Sequence, residues 1–233
     1  MNPFALRLKR LQKASPKAVY AFRQRVKRLR VYLELYTFPA PPPNEPALDA
    51  LYALTGKLRR AWLNKKYAQK WAPSLLKAAK KRLRKRKKIF LARYPELAPP
   101  IRKTLHGWKK RFPFSFTLQE EHFWQSQVEA WLQAMRSRLE AFPPPPYLPE
   151  QAHELRILLR SWEKAAEIYP LPETPPKHLT KALGRTRDIF LFLKWAKKKA
   201  QDPELLAPIQ SRYQRWHEEA LASWWAWRSR WAS

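Results

Sequence analysis

Along residues 19–36 apolar side chains return at the period of an α-helix. Phe22, Val26, Leu29 and Leu33 fall at i, i+4, i+7 and i+11, a single stripe suited to a core. Arg23, Lys27 and Arg30 recur at i, i+4 and i+7 on an adjoining stripe, which Arg25 and Arg28 widen. Ser15-Pro16 supplies an N-cap hydroxyl and a proline at the first helical position, and the run Pro39, Pro41, Pro42, Pro43 ends the segment. The pattern of helical stripe and proline break then continues. A short leading helix is expected over residues 4–13. Pro46 opens a helix over about residues 47–70, with Leu51, Leu54, Leu58, Ala61 and Trp62 at core spacing, and Pro73 starts another. Residues 95–113 are ambiguous, because Pro95, Pro99 and Pro100 precede a short basic segment.

Thr117 with Glu120 three residues on forms a capping box. It opens a helix to about residue 142 that carries Phe123, Trp124, Trp131, Leu132 and Leu139. Proline-rich breaks at 143–149 and 170–176 set off helices over residues 150–169, 178–200 and 203–231. Trp224, Trp225, Trp227 and Trp231 on the last helix read as packing surface more than as a stacking platform, since aromatic rings bury large apolar areas. No stretch alternates as a strand does. The pattern predicts an all-α fold.

Charge sharpens this picture. The chain carries 48 Lys+Arg against 18 Asp+Glu, a net charge of +30. Residues 1–111 hold +27 of it and residues 112–233 only +3. With 45% hydrophobic residues the chain is no disordered polycation, and the excess calls for a polyanionic partner: nucleic acid, an anionic membrane surface or an inorganic phosphate polymer. Residues 77–88, KAAKKRLRKRKK, hold nine basic residues in twelve, with Lys77, Lys81, Arg84 and Lys88 on one face. Like charges at such spacings cost a helix about 0.2–0.5 kcal/mol per pair, so a counterion source is expected beside a solvated-face reading. The absence of cysteine excludes disulfides and thiolate metal sites. Three glycines leave no phosphate-cradling loop, and neither a signal-like N-terminus nor a run of 18 apolar residues occurs. These features predict a cytoplasmic protein without a membrane span.

The basic stripe has a second copy. Tyr20-x-x-Arg23-x-x-x-Lys27 aligns with His153-x-x-Arg156-x-x-x-Arg160, and Glu34-Leu-Tyr36 with Glu167-Ile-Tyr169. Downstream, Thr55-Gly56-Lys57-Leu58-Arg59-Arg60 aligns with Leu183-Gly184-Arg185-Thr186-Arg187-Asp188. A basic helix followed by a G-x-x-R helix, twice, is an internal duplication. On these elements the chain resembles the CHAD family, the conserved histidine α-helical domains, over nearly its whole length. The resembling residues are Arg23, Lys27, Arg28, Leu29 and Arg30, then His153, Arg156, Arg160 and Leu183-Gly-x-x-Arg187-Asp188. Departures stand at Tyr20, where the first copy would have histidine, at Arg60, where it would have Asp, and at Glu163 and Lys164.

The resemblance implies a single domain over residues 1–233, built as two four-helix-bundle-like halves, about 1–114 and 115–233. A pseudo-two-fold axis would relate them, with a basic groove between. It also implies non-catalytic binding of inorganic polyphosphate, with polyphosphate granules as a place of residence. The expected contacts are Arg23, Lys27, Arg28, Arg30, Lys77, Lys81, Arg84, Lys88, His153, Arg156, Arg160 and Arg187. Arginine can fork onto phosphate oxygens and lysine adds point charge. Asp188 is expected to orient Arg185 or Arg187, and Gly184 to allow close helix contact. No H-E-x-x-H, C-x-x-C or Walker pattern occurs and no carboxylate cluster stands out, so neither an enzyme nor a metal or other cofactor is expected. A nucleic-acid binder, with rings stacking on bases of RNA or single-stranded DNA, remains the alternative. Exposed rings along the groove would favour it; buried rings and a bare basic groove would favour polyphosphate.

Overall fold

A computed structural model describes residues 2–114, 118–143, 147–171, 173–200 and 202–231. Among these residues the regular secondary structure is all helical, with no strand. Seven α-helices follow in order: α1 (Pro16–Thr37), α2 (Pro46–Trp71), α3 (Leu76–Arg111), α4 (Leu118–Glu140), α5 (Pro149–Ala166), α6 (Lys177–Ala196) and α7 (Pro203–Trp231). The capping box at Thr117, and the side chain of Trp231, lie outside the described residues.

Local chemistry sets the starts. Ser15 accepts the Ala18 amide at 3.2 Å through its hydroxyl, and Pro16 takes the first turn, where a missing N–H costs nothing. Glu45 accepts the Ala47 amide at 3.1 Å ahead of Pro46. The leading segment departs from expectation. It is a 3-10 turn over Leu8–Lys13, bracketed by left-handed backbone at Arg7 (φ 51°) and Ala14 (φ 43°). Those two bends, and the bias of the residue before Pro16 away from helical geometry, leave no room for a full α-helix. Leu8 and Leu11 are still buried.

Residues 95–113 also resolve. Pro95, Pro99 and Pro100 sit inside one continuous helix, α3. Each proline removes a helical hydrogen bond. Packing compensates, because Phe90, Tyr94, Leu97, Ala98 and Ile101 dock a buried stripe and the Tyr94 hydroxyl donates to the Leu8 carbonyl at 2.8 Å.

α1 is the central element. Phe22, Val26, Leu29 and Leu33 are all buried, as their spacing predicts. It packs on α2, on α4 and along α5. Its Tyr32 is fully enclosed by Phe4, Phe114 and Trp124 and donates to the carbonyls of Phe112 and Pro113. Glu34 accepts from the Trp131 indole at 3.2 Å. α2 lies along α3, α6 along α7, and α2 also touches α6. One core cluster runs from Phe4 to Trp227, and a second joins Ala68–Ala79 side chains to Ile189, Phe192, Trp195 and Ile209. Both cores draw on both ends of the chain, which fixes α1 and α2 against α5 and α6.

Candidate anion-binding site

The basic stripes of α1 and α5 meet across the middle of the molecule, with α2 and α6 completing the walls. Together they line a cavity of about 370 Å³. Nine cationic side chains face it: Arg23, Lys27, Arg59, Arg60, Arg156, Arg160, Lys181, Arg185 and Arg187. The one carboxylate among the described lining residues is Asp188.

Each cation is held by its own element. Arg23 donates to the Tyr52 carbonyl at 2.6 Å, and its guanidinium lies 3.9 Å from the Tyr52 ring centroid. It also presses on Gly56: a Cβ there would stand 2.9 Å from Arg23 Nη1. Arg156 does the same at Gly184, where a Cβ would stand 3.3 Å from its Nε. The two glycines admit two arginines to the cavity wall. Arg160 pairs with Glu163, whose other oxygen accepts the Thr180 hydroxyl. Arg59 reaches from α2 to Asp188 on α6 with two bonds, 3.0 and 2.7 Å. Asp188 therefore engages a cation of α2, in place of the expected Arg185 or Arg187.

Charge crowding shows in the protonation equilibria. Burial, reinforced by Arg156, Arg160, Arg23 and Arg59, pushes the Lys27 ammonium down to about 7. Burial and then Arg187, Arg156 and Lys27 push His153 down to about 4, so its ring is neutral near pH 7. Arg23, Arg156 and Arg187 are lowered as well, first by burial. Five buried polar atoms of lining residues have no hydrogen-bond partner within the protein: Asn64 Nδ2, His153 Nδ1, Arg156 Nε, Arg160 Nε and Arg187 Nη1. Buried donors are normally paired, and leaving one unpaired costs about 1–3 kcal/mol, more for a charged group.

No family model, characterised protein or solved structure matches this chain. The site is accordingly read from its own geometry. Of the twelve residues expected from sequence, the cavity gathers Arg23, Lys27, His153, Arg156, Arg160 and Arg187. Arg28 instead donates to the Glu167 carbonyl and sits 3.7 Å from its carboxylate, tying α1 to the end of α5. Arg30 pairs with Asp49 and lies over the Tyr52 ring at 4.5 Å. Lys77, Lys81, Arg84 and Lys88 share an exposed face of α3 that does not line the cavity.

Sequence reasoning missed Arg59, Arg60, Lys181 and Arg185 as lining residues. Three of them lie in the duplicated G-x-x-R segments, and Lys181 is one turn before Arg185, so the repeat itself held the signal.

Aromatic side chains are placed elsewhere. Trp124, Trp131, Trp162, Trp195, Trp224 and Trp227 are buried, and among the described residues Tyr20 is the sole tyrosine, tryptophan or phenylalanine lining the cavity. Among the described residues no group of His, Cys, Asp and Glu is placed to hold a metal ion, and no helix is long and apolar enough to cross a membrane. The arrangement suits a multivalent anion whose oxygens meet several guanidinium groups at once.

Proposed function

We propose that this protein binds inorganic polyphosphate in the cavity between α1, α2, α5 and α6, without turning it over, as a CHAD-like protein. The observation that carries the reading is the convergence of cations from four helices on one cavity whose described lining holds a single carboxylate, Asp188, already taken up by Arg59. A chain of phosphates offers acceptor oxygens and negative charge in a row, and the nine cations supply the matching field. Asp188 is read as the partner of Arg59, from which both its oxygens accept.

The two-fold reading has parallel support. Arg23 on Gly56 repeats as Arg156 on Gly184, α2 along α3 repeats as α6 along α7, and α1 on α2 repeats as α5 on α6. The 3-10 turn before α1 then takes the place that α4 takes before α5. In this reading two halves about a pseudo-two-fold axis present α1 and α5 to one polymer. A cytoplasmic location, on polyphosphate granules, goes with it.

Nucleic acid is the competing reading. It would draw on stacking, worth about 1–3 kcal/mol per base, and among the described residues the cavity offers one exposed ring, Tyr20. A competition titration at fixed salt decides between them. Polyphosphate is expected to displace RNA at equal phosphate concentration, and RNA that resists displacement would reverse the assignment.

A further inference from the structure

The cavity does not account for α3. Residues 77–88 place nine cations on this helix, and among the described residues none of them meets a carboxylate. Lys77, Lys81, Arg84, Lys85 and Lys88 are exposed. Arg82 and Arg86 are half-buried and turn toward the rest of the molecule. The Arg82 guanidinium lies 6.0 Å from the Trp195 ring on α6, and its charge feels both Arg86 and Arg60. Arg60 is exposed and lines the cavity. Arg82 Nε is buried without a hydrogen-bond partner, like the donors inside the cavity. A row of cations thus leaves the cavity at Arg60, passes Arg82 and Arg86, and spreads over the outer face of α3.

We propose that this row is the second part of one extended site: polyphosphate too long for the cavity leaves it over Arg60 and lies along α3. The proposal rests on the polyphosphate reading of the cavity and adds a chain-length preference to it. From Lys77 to Lys88 the helix rises roughly 16 Å, enough to meet several successive phosphates. A polymer spanning cavity and α3 gains from holding both at once, because the second engagement is intramolecular. Short chains reach the cavity alone. The protein therefore discriminates long chains from short ones by a surface that a short chain never touches.

The test compares tripolyphosphate with long-chain polyphosphate on the full-length protein. The variant Arg82→Gln/Arg86→Gln, together with Lys81→Gln/Lys85→Gln, removes four of the nine cations, those next to the cavity exit among them, without touching a cavity-lining residue. Expected is a loss of about tenfold or more in long-chain affinity, with tripolyphosphate binding within twofold of wild type. The salt dependence of long-chain binding should also flatten, by about 0.7 in slope for each phosphate no longer held. Arg156→Gln serves as the cavity variant and should weaken both ligands. Long-chain affinity unchanged in the α3 variant, with both ligands weakened in Arg156→Gln, would overturn the α3 proposal and leave the cavity reading standing. Arg156→Gln without effect on either ligand would remove the cavity reading and this proposal with it. An α3 variant that loses RNA binding but keeps long-chain polyphosphate would assign the row to nucleic acid, and so overturn the proposal as well.

Discussion

Arg59 of α2 holds Asp188 of α6 with both ends of its guanidinium, Nη1 to Oδ1 at 3.0 Å and Nη2 to Oδ2 at 2.7 Å. The pair joins α2 to α6 on the wall where the nine cations converge. Burial works against the Arg59 charge, and the Asp188 bond and charge raise its pKa back above the ordinary value. Asp188→Asn removes this carboxylate from the cavity wall and leaves nine cations facing each other. Losing one partner of a fully buried pair costs about 3–5 kcal/mol. The Arg59 side chain keeps 35% of its exposure, so about 1–3 kcal/mol is expected after screening. Urea unfolding measures it, and saturating polyphosphate should recover much of the loss. Unchanged stability would mean that this pair does not tie α2 to α6.

Gly56 and Gly184 make a separable prediction. Gly56→Ala improves helix propensity by about 0.8–1.0 kcal/mol. The new methyl stands 2.9 Å from Arg23 Nη1, which is anchored on the Tyr52 carbonyl and must move. That displaced bond has a charged donor and is worth about 1.5–3 kcal/mol, so net stability should fall by roughly 0.5–2 kcal/mol. Polyphosphate affinity should fall by roughly two- to tenfold, because Arg23 no longer faces the cavity correctly. Thermal unfolding and titration of the same sample separate the two effects. Affinity unchanged in Gly56→Ala would show that Arg23 does not touch the polymer.

The α1 helix was legible because its apolar and basic stripes are both local patterns at helical period, and its buried residues follow that spacing. The cavity was half legible. Arg23 and Lys27 point into it, but Arg30 lies about 10 Å beyond Arg23 and about 4.5 Å beyond Lys27 along the helix axis, where Asp49 and Tyr52 take it up. A stripe records direction around a helix and not how far the partner helix extends. Arg59 with Asp188 was illegible for another reason: the two are 129 residues apart, and only tertiary packing brings them together. The same packing carries α3 through its three prolines, which local propensity reads as breaks.

Lys27 sets a pH dependence. Its pKa is about 7 in the folded protein against an ordinary 10.5, lowered by burial and by Arg156 and Arg160 of α5, Arg23 of α1 and Arg59 of α2. A cation depressed in this way costs stability in full below pH 7, and the cost fades as pH rises toward 10.5, so the ligand-free protein should gain stability over that window. A bound polyanion favours the charged form and raises the pKa. Binding then takes up a proton above pH 7, and affinity falls by at most about tenfold per pH unit through this group. Below pH 7 Lys27 contributes no slope. His153, at about 4 against an ordinary 6.5, adds a slope of the same sign between about pH 4 and 6.5, below the Lys27 window. Calorimetry in buffers of different ionisation enthalpy should detect the proton uptake, and Lys27→Arg should abolish it. Uptake that persists in Lys27→Arg would place the titrating group elsewhere.

The last prediction separates the cavity from general charge. Arg60 and Arg185 are exposed residues on the cavity wall, so reversing them to Glu leaves the core untouched. Arg136 and Arg138 are exposed on α4 and do not line the cavity. Both double reversals change the net charge equally, and any loss that follows net charge alone must be the same for the two. Charge-assisted hydrogen bonds are worth about 1.5–3 kcal/mol each, so Arg60→Glu/Arg185→Glu should weaken polyphosphate binding at least about a hundredfold. Releasing two phosphates should also flatten the salt dependence by about 1.4 in slope, on the single-strand value of about 0.7 per phosphate. Arg136→Glu/Arg138→Glu should shift affinity by a few-fold at low salt, and that shift should vanish as salt screens the exposed charges. Titrations of both variants at two salt concentrations read affinity and slope together. Equal losses, disappearing together at high salt, would mean the field of the whole protein holds the polymer and the cavity does not.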